Sequence, residues 1–123
     1  MRAIGKKRWA IPEGYIPSES CSNDRALISH ETACILNATK KLAKITVTVF
    51  FADREPISYS VSVPPERTLH LRFNDLRDPE PLPRDTDYSS VFESNVPVVV
   101  QHTRLDSRRA EISLLTTIAY AEA

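Results

Sequence analysis

With 123 residues, 16 basic and 16 acidic side chains, the chain is long enough for one domain around one core and carries no formal net charge. That balance removes the electrostatic case for non-specific binding to nucleic acid or to an acidic membrane surface. Two cysteines, Cys21 and Cys34, are too few for a disulfide scaffold and lack zinc-site spacing, which fits a reducing cytoplasm.

The N-terminal run Met1 to Trp9 has basic residues with no apolar stretch behind them, so no secretory signal is expected. No apolar run is long enough to span a bilayer, so direct membrane insertion is not expected. Nine prolines break any long helix and leave short segments between stops. Arg8 to Ile11 and Thr32 to Leu36 read as strands, with a polar loop from Ser18 to Arg25 between them. Ala43 to Phe51 alternates apolar and polar residues, as do Ser58 to Val63 and Thr68 to Phe73. Short connections at Asp53–Pro56 and Pro64–Arg67 join these three, which predicts a meander. Asp75 to Asp87 holds three prolines and many charges and reads as a long ordered loop or lid. Ser89 to Glu93 reads as a short strand or one helical turn, and Val96 to Val100 as a strand buried on both faces. Ile112 to Ala121 mixes helical spacing with β-branched residues and is assigned as strand. The sum predicts an all-β, single-domain sandwich spanning residues 1–123.

Five polar residues, Gln101, His102, Thr103, Arg104 and Asp106, follow the Val96–Val100 run. Polar groups near a core are costly unless paired, so they either pair with one another or face a ligand. Alternation puts Gln101 and Thr103 on one side and His102 and Arg104 on the other. Candidate partners are His30–Glu31, Arg72 to Asp75, and Trp9 with Glu13, all expected to converge on one pocket. His30 and Glu31 must point to opposite faces. Trp9 offers an aromatic platform for stacking or, alternatively, a core anchor. Glu13, on a tight loop, can accept hydroxyl hydrogen bonds. Arg72 and Arg104 suit anionic or hydroxyl groups, or else serve as structural clamps. Asn74 either fixes ligand orientation or makes a turn. Histidines at 30, 70 and 102 lie on separate strands, without the close pair of a cupin metal site. No phosphate loop, dinucleotide fingerprint or nucleophile elbow is present.

Five stretches together resemble the sensory rhodopsin transducer family. They are Trp9-Ala-Ile-Pro-Glu-Gly-Tyr-Ile-Pro17, Ile28 to Ala38, Arg72-Phe-Asn-Asp-Leu76, Ser94 to Arg108 and Thr117 to Ala121. The resemblance implies a jelly-roll-like β-sandwich that assembles as a homotetramer. It also implies kinship with prokaryotic small-molecule-binding domains for which sugars or sugar derivatives are suspected. The reading is a non-enzymatic cytoplasmic module binding a small polar ligand through Trp9, Glu13, His30, Arg72, Asn74, His102 and Arg104, with no cofactor and no metal. The alternatives are a dedicated transducer of a membrane sensory rhodopsin, acting by protein–protein contact, and a cupin-like metal-dependent enzyme.

Overall fold

The computed structural model describes residues 2–123. Apart from two 3-10 turns at Arg25–Leu27 and Phe73–Asp75, every regular element among them is a strand. The strands are β1 (Lys6–Ile11), β2 (His30–Asn37), β3 (Ala43–Phe51), β4 (Ile57–Val63), β5 (Arg67–Arg72), β6 (Tyr88–Asp106), β7 (Ser113–Ile118) and β8 (Tyr120–Glu122). All pairings are antiparallel. One sheet runs β4-β3-β6-β1-β8; the other runs β5-β2-β6-β7.

The 19-residue strand β6 belongs to both sheets. From Tyr88 to Ser94 it pairs with β3, and from Val99 to Leu105 with β2. Asn95 and Pro97 sit where it changes sheet. Proline has no N–H to give a ladder, so it suits a corner. Asn95 replaces ladder bonds with its side chain: Oδ1 accepts from Lys44 N at 2.7 Å and Nδ2 donates to Leu42 O at 3.3 Å. The β1–β6 register also slips here, between Lys6 and Arg8. Trp9 locks the corner by donating its indole N–H to Val98 O at 2.9 Å and Lys6 O at 3.0 Å. Gly5 passes so close, at φ +113°, that a Cβ would lie 2.2 Å from the Val98 carbonyl oxygen.

Four expectations change. Ser89–Glu93 and Val96–Val100 are pieces of one strand. Val96, Val98 and Val100 are buried, but Pro97 and Val99 are only half-buried, so the run is covered fully on one face. The meander stops after β4: Pro64 and Pro65 lack the donors a hairpin continuation needs, and β5 crosses to pair with β2. The C-terminal strand is two strands, broken at buried Ala119, whose N–H donates to Val100 O at 3.1 Å. The loop from Leu76 to Asp87 is ordered, anchored by buried Leu76 and Leu82.

The core lies between the sheets. Val47, Val49, Phe92, Ile35, Val98 and Val100 are fully buried, and Phe73 meets Phe92 edge-on at 6.3 Å between ring centres. Each such side chain contributes about 1.5–3 kcal/mol by leaving water. Along β2 the inward positions are Glu31, Ala33, Ile35 and Asn37, so the strand is apolar in its middle and polar at both ends.

Candidate functional site

Toward one end of the sandwich the inward positions of β2 and β6 turn from aliphatic to ionisable. Ile35 faces Val100 and Ala33 faces His102, and then Glu31 faces Arg104. Glu31 is fully buried. An ionised carboxylate at such depth requires partners on both oxygens. His102 Nε2 hydrogen-bonds Oε1. Oε2 accepts from Tyr15 N at 3.1 Å and lies 3.2 Å from Arg104 Nε. Arg104 then reaches outward and donates from Nη1 to Glu13 Oε1 at 2.7 Å. A chain of charge-bearing groups therefore runs His102–Glu31–Arg104–Glu13 from the interior to a half-exposed carboxylate.

The loop after β1 builds the upper wall. Tyr15 carries two guanidinium groups over its ring, Arg104 at 5.9 Å and Arg108 at 5.6 Å. Arg108 is balanced by Asp106, 2.6 Å away, and the Arg108 hydrogen bond holds the Asp106 carboxyl below its ordinary range. Gly14 lies against Tyr88, leaving no room for a Cβ, which would come within 2.3 Å of the ring. Its carbonyl accepts from Tyr88 N at 3.0 Å. The Tyr88 hydroxyl is buried without a hydrogen-bond partner. Burial first, and Glu31 second, push that phenol well above its ordinary range.

Beside this chain, a cleft of about 490 Å³ opens between the end of β1 and the inner face of β7. His102 and Glu13 line it, together with Ile11, Leu115, Thr117 and Tyr120. Its volume is in the range that holds small ligands. It exists because β7 runs beyond the cover of the opposite sheet, leaving Leu115 exposed although its partner Arg104 points inward.

Of the seven expected site residues, Glu13, His102 and Arg104 converge here, and Asn74 stands directly behind. Asn74 Oδ1 accepts from Glu31 N at 3.3 Å and Nδ2 donates to Ser29 O at 3.0 Å, so it braces the start of β2. Three lie elsewhere. Trp9 is buried at the β6 corner with its N–H committed, leaving no open ring face for stacking. His30 points away from Glu31, and its Nδ1 hydrogen-bonds Ile28 O at 2.6 Å. Arg72 donates to Arg25 O at 2.6 Å, beside the Arg25–Asp75 ion pair. Of the pair His30–Glu31, it is Glu31 that joins the cluster and His30 that turns away from it. Inward Ala33 and Ile35 put every odd position of β2 inside, and this would have selected Glu31. Tyr15 and Tyr88 carried no such signal.

Among the described residues, no group of three His, Cys, Asp or Glu side chains could hold a metal ion, and no helix is long and apolar enough to cross a membrane.

The family model described as Anabaena sensory rhodopsin transducer matches residues 4–121. The chain belongs to this family. The solved structure titled Anabaena sensory rhodopsin transducer is 51% identical over 85% of this chain and 100% of that one, with a TM-score of 0.77. The structure titled Thermotoga maritima 1070 is 41% identical over 96% of both chains, with a TM-score of 0.86. Both likenesses are consistent with the sandwich described above, which is the transducer-family fold. No curated protein sequence matches.

Proposed function

We propose that the chain is a non-enzymatic, cytoplasmic binding and signalling module that takes a small polar ligand in the cleft beside His102 and Glu13. The observation that carries the reading is the buried Glu31, held by His102, Arg104 and Tyr15, with His102 itself lining the cleft. An apolar residue in its place would fill the core at less cost, since buried ion pairs rarely repay their desolvation. Sugars, sugar acids and amino sugars form the first panel, because sugar-like ligands are what the family resemblance brings. A ligand bound by the folded state alone raises stability by about 2.7 kcal/mol at a hundredfold excess over its Kd. A thermal-shift screen therefore reads it directly. A shift that disappears in a folded Arg104→Met variant supports the cleft; an unaltered shift in that variant places the ligand elsewhere.

The second reading is a transducer acting on a membrane sensory rhodopsin. It is favoured by 51% identity to a protein titled Anabaena sensory rhodopsin transducer. Co-purification with such a rhodopsin in detergent is the test, and its absence at micromolar concentrations of both proteins counts against it. Under either reading the module works as a homotetramer. Leu114 on β7 is 67% exposed and Ile118, which also lines the cleft, is 61% exposed, and such apolar exposure on an edge strand favours a subunit contact. Light scattering of the purified protein reads the mass.

A further inference from the structure

We infer that the corner end of the sandwich, opposite the cleft, docks on an anionic lipid surface. The zero net charge of the chain is a sum over two unlike ends. All five lysines, Lys6, Lys7, Lys40, Lys41 and Lys44, lie at the end where β6 changes sheet. Lys6 pairs with Val98. The turn that carries Lys40 and Lys41 is tied to the corner by Asn95, which bonds Leu42 O and Lys44 N. Arg67 stands beside Asn37 at the same end, and Ala3, next to Arg2, lies against Thr39 and Lys40. These basic side chains are all exposed. Among the described residues no lysine is in an ion pair.

Only three of the sixteen acidic residues share that end: Glu66, Glu93 and Glu122. Glu93 and Glu122 flank Arg8, at 3.5 and 3.3 Å, which leaves Glu66 alone to offset the rest. The other acidic residues lie toward the cleft end, where every basic residue is an arginine. Four of those arginines are already paired: Arg25 with Asp75, Arg54 with Glu80, Arg104 with Glu13 and Arg108 with Asp106. The molecule is therefore a dipole, basic at the corner and acidic around the cleft. An anionic surface attracts one end and repels the other, which fixes orientation as well as affinity. Docked this way, the protein presents its cleft to solvent.

The chemistry of the basic end favours lipid over nucleic acid. Lysine is a point charge on a flexible stem, which suits headgroups of no fixed arrangement, whereas the arginine fork suits phosphates and bases held in fixed geometry. Apolar side chains stand among the lysines: Ile4, Leu36 and Leu42 are 52%, 39% and 40% exposed. The interfacial layer of a membrane accepts such groups, and a phosphate backbone offers them nothing. Among the described residues no exposed aromatic ring is at this end to stack on a base.

The test is co-sedimentation with vesicles of phosphatidylcholine alone and of phosphatidylcholine with phosphatidylserine, two to one, at about 0.1 M salt. A mixed-sequence DNA duplex is titrated beside them. The expected result is at least tenfold tighter binding to the anionic vesicles, lost at about 1 M salt, where the screening length falls to about 3 Å. Each basic residue near such a surface strengthens binding by about fivefold. Lys40→Gln, Lys41→Gln and Lys44→Gln together should therefore weaken it tenfold or more, with the melting temperature unmoved. Lys6→Gln with Lys7→Gln, on a different element, should weaken it threefold or more. Leu36→Ser with Leu42→Ser keeps the charge and should also weaken vesicle binding threefold. Equal binding to the two vesicles overturns the inference, as does binding to neither. So does anionic binding unaltered in both lysine variants. Vesicle binding unaltered in the leucine variant, or binding of the duplex without binding of the anionic vesicles, overturns the choice of lipid.

Discussion

Two buried polar side chains stand on the same face of β2, at opposite ends, and they are satisfied in different ways. Asn37 is fully enclosed by its own neighbourhood. Its Nδ2 donates to the carbonyls of Lys41, Val63 and Pro64, and its Oδ1 accepts from the N–H and hydroxyl of Thr39. Four of these five bonds go to main chain, so the network ends where it began and pins the β2–β3 turn to β4. Glu31 is satisfied mainly by charge-bearing side chains, and each of those reaches another group until the series meets solvent at Glu13. A closed network needs nothing beyond the fold. An open one has an end, and that end lies in a cleft. The contrast teaches that burial of a polar residue is not the mark of a site; what matters is where its partners lead.

The sharpest way to break this comparison is to remove Glu31. Glu31→Ala leaves a partly buried guanidinium and an imidazole without their carboxylate and is expected to cost about 3–5 kcal/mol, read by urea denaturation. Replacing Glu31, His102 and Arg104 together by apolar residues of similar size should recover most of that loss while abolishing ligand binding. Asn37→Ala should cost about 2–3 kcal/mol, because several backbone groups lose partners at once. It should leave the ligand affinity of the surviving folded protein unaltered; a tenfold weakening would erase the distinction between the two networks.

Tyr88→Phe should stabilise the protein by about 1 kcal/mol at neutral pH, since it deletes a buried hydroxyl that bonds to nothing. It also alters the alkaline limb. The Tyr88 phenol is raised in the folded state, so the unfolded chain loses its proton first and stability falls as pH rises above about 10. Melting temperatures from pH 9 to 11 should decline less steeply in the variant. The smallest effect is at Arg25. Its hydrogen bond lowers the Asp75 carboxyl from an ordinary 3.8. That contribution is present above pH 4 and is lost as pH falls through the depressed value. Arg25→Ala should flatten the acid limb there and leave neutral-pH ligand binding unaltered.

Much of the fold was legible because period-two alternation survives in β3, β4 and the two ends of β6. What was hidden is the joining of elements across the sandwich. Asn95 and Pro97 carry the ordinary signs of a strand boundary, yet in three dimensions they mark a strand changing sheets. Pro64 and Pro65 look like a hairpin turn and instead end one. Of the polar cluster, the shared face of His102 and Arg104 was legible because alternation could be counted there. The direction of His30–Glu31 was not, because one residue had to be chosen from a pair. Nor was the placing of Trp9 and Arg72, where a side chain suited to ligands bonds to the backbone instead.

The sharing of β6 has a consequence for how the protein comes apart. In most sandwiches each layer could in principle open alone, as a separate unit of local stability. Here one nineteen-residue strand supplies a central ladder to each layer, its first part to one and its second part to the other. Freeing β6 from β3 pulls on the segment that holds His102 against Glu31, and freeing it from β2 pulls on the Phe92 core. Slow hydrogen exchange should therefore report a single protected unit spanning both layers, with β7 and β8, at the rims, opening first.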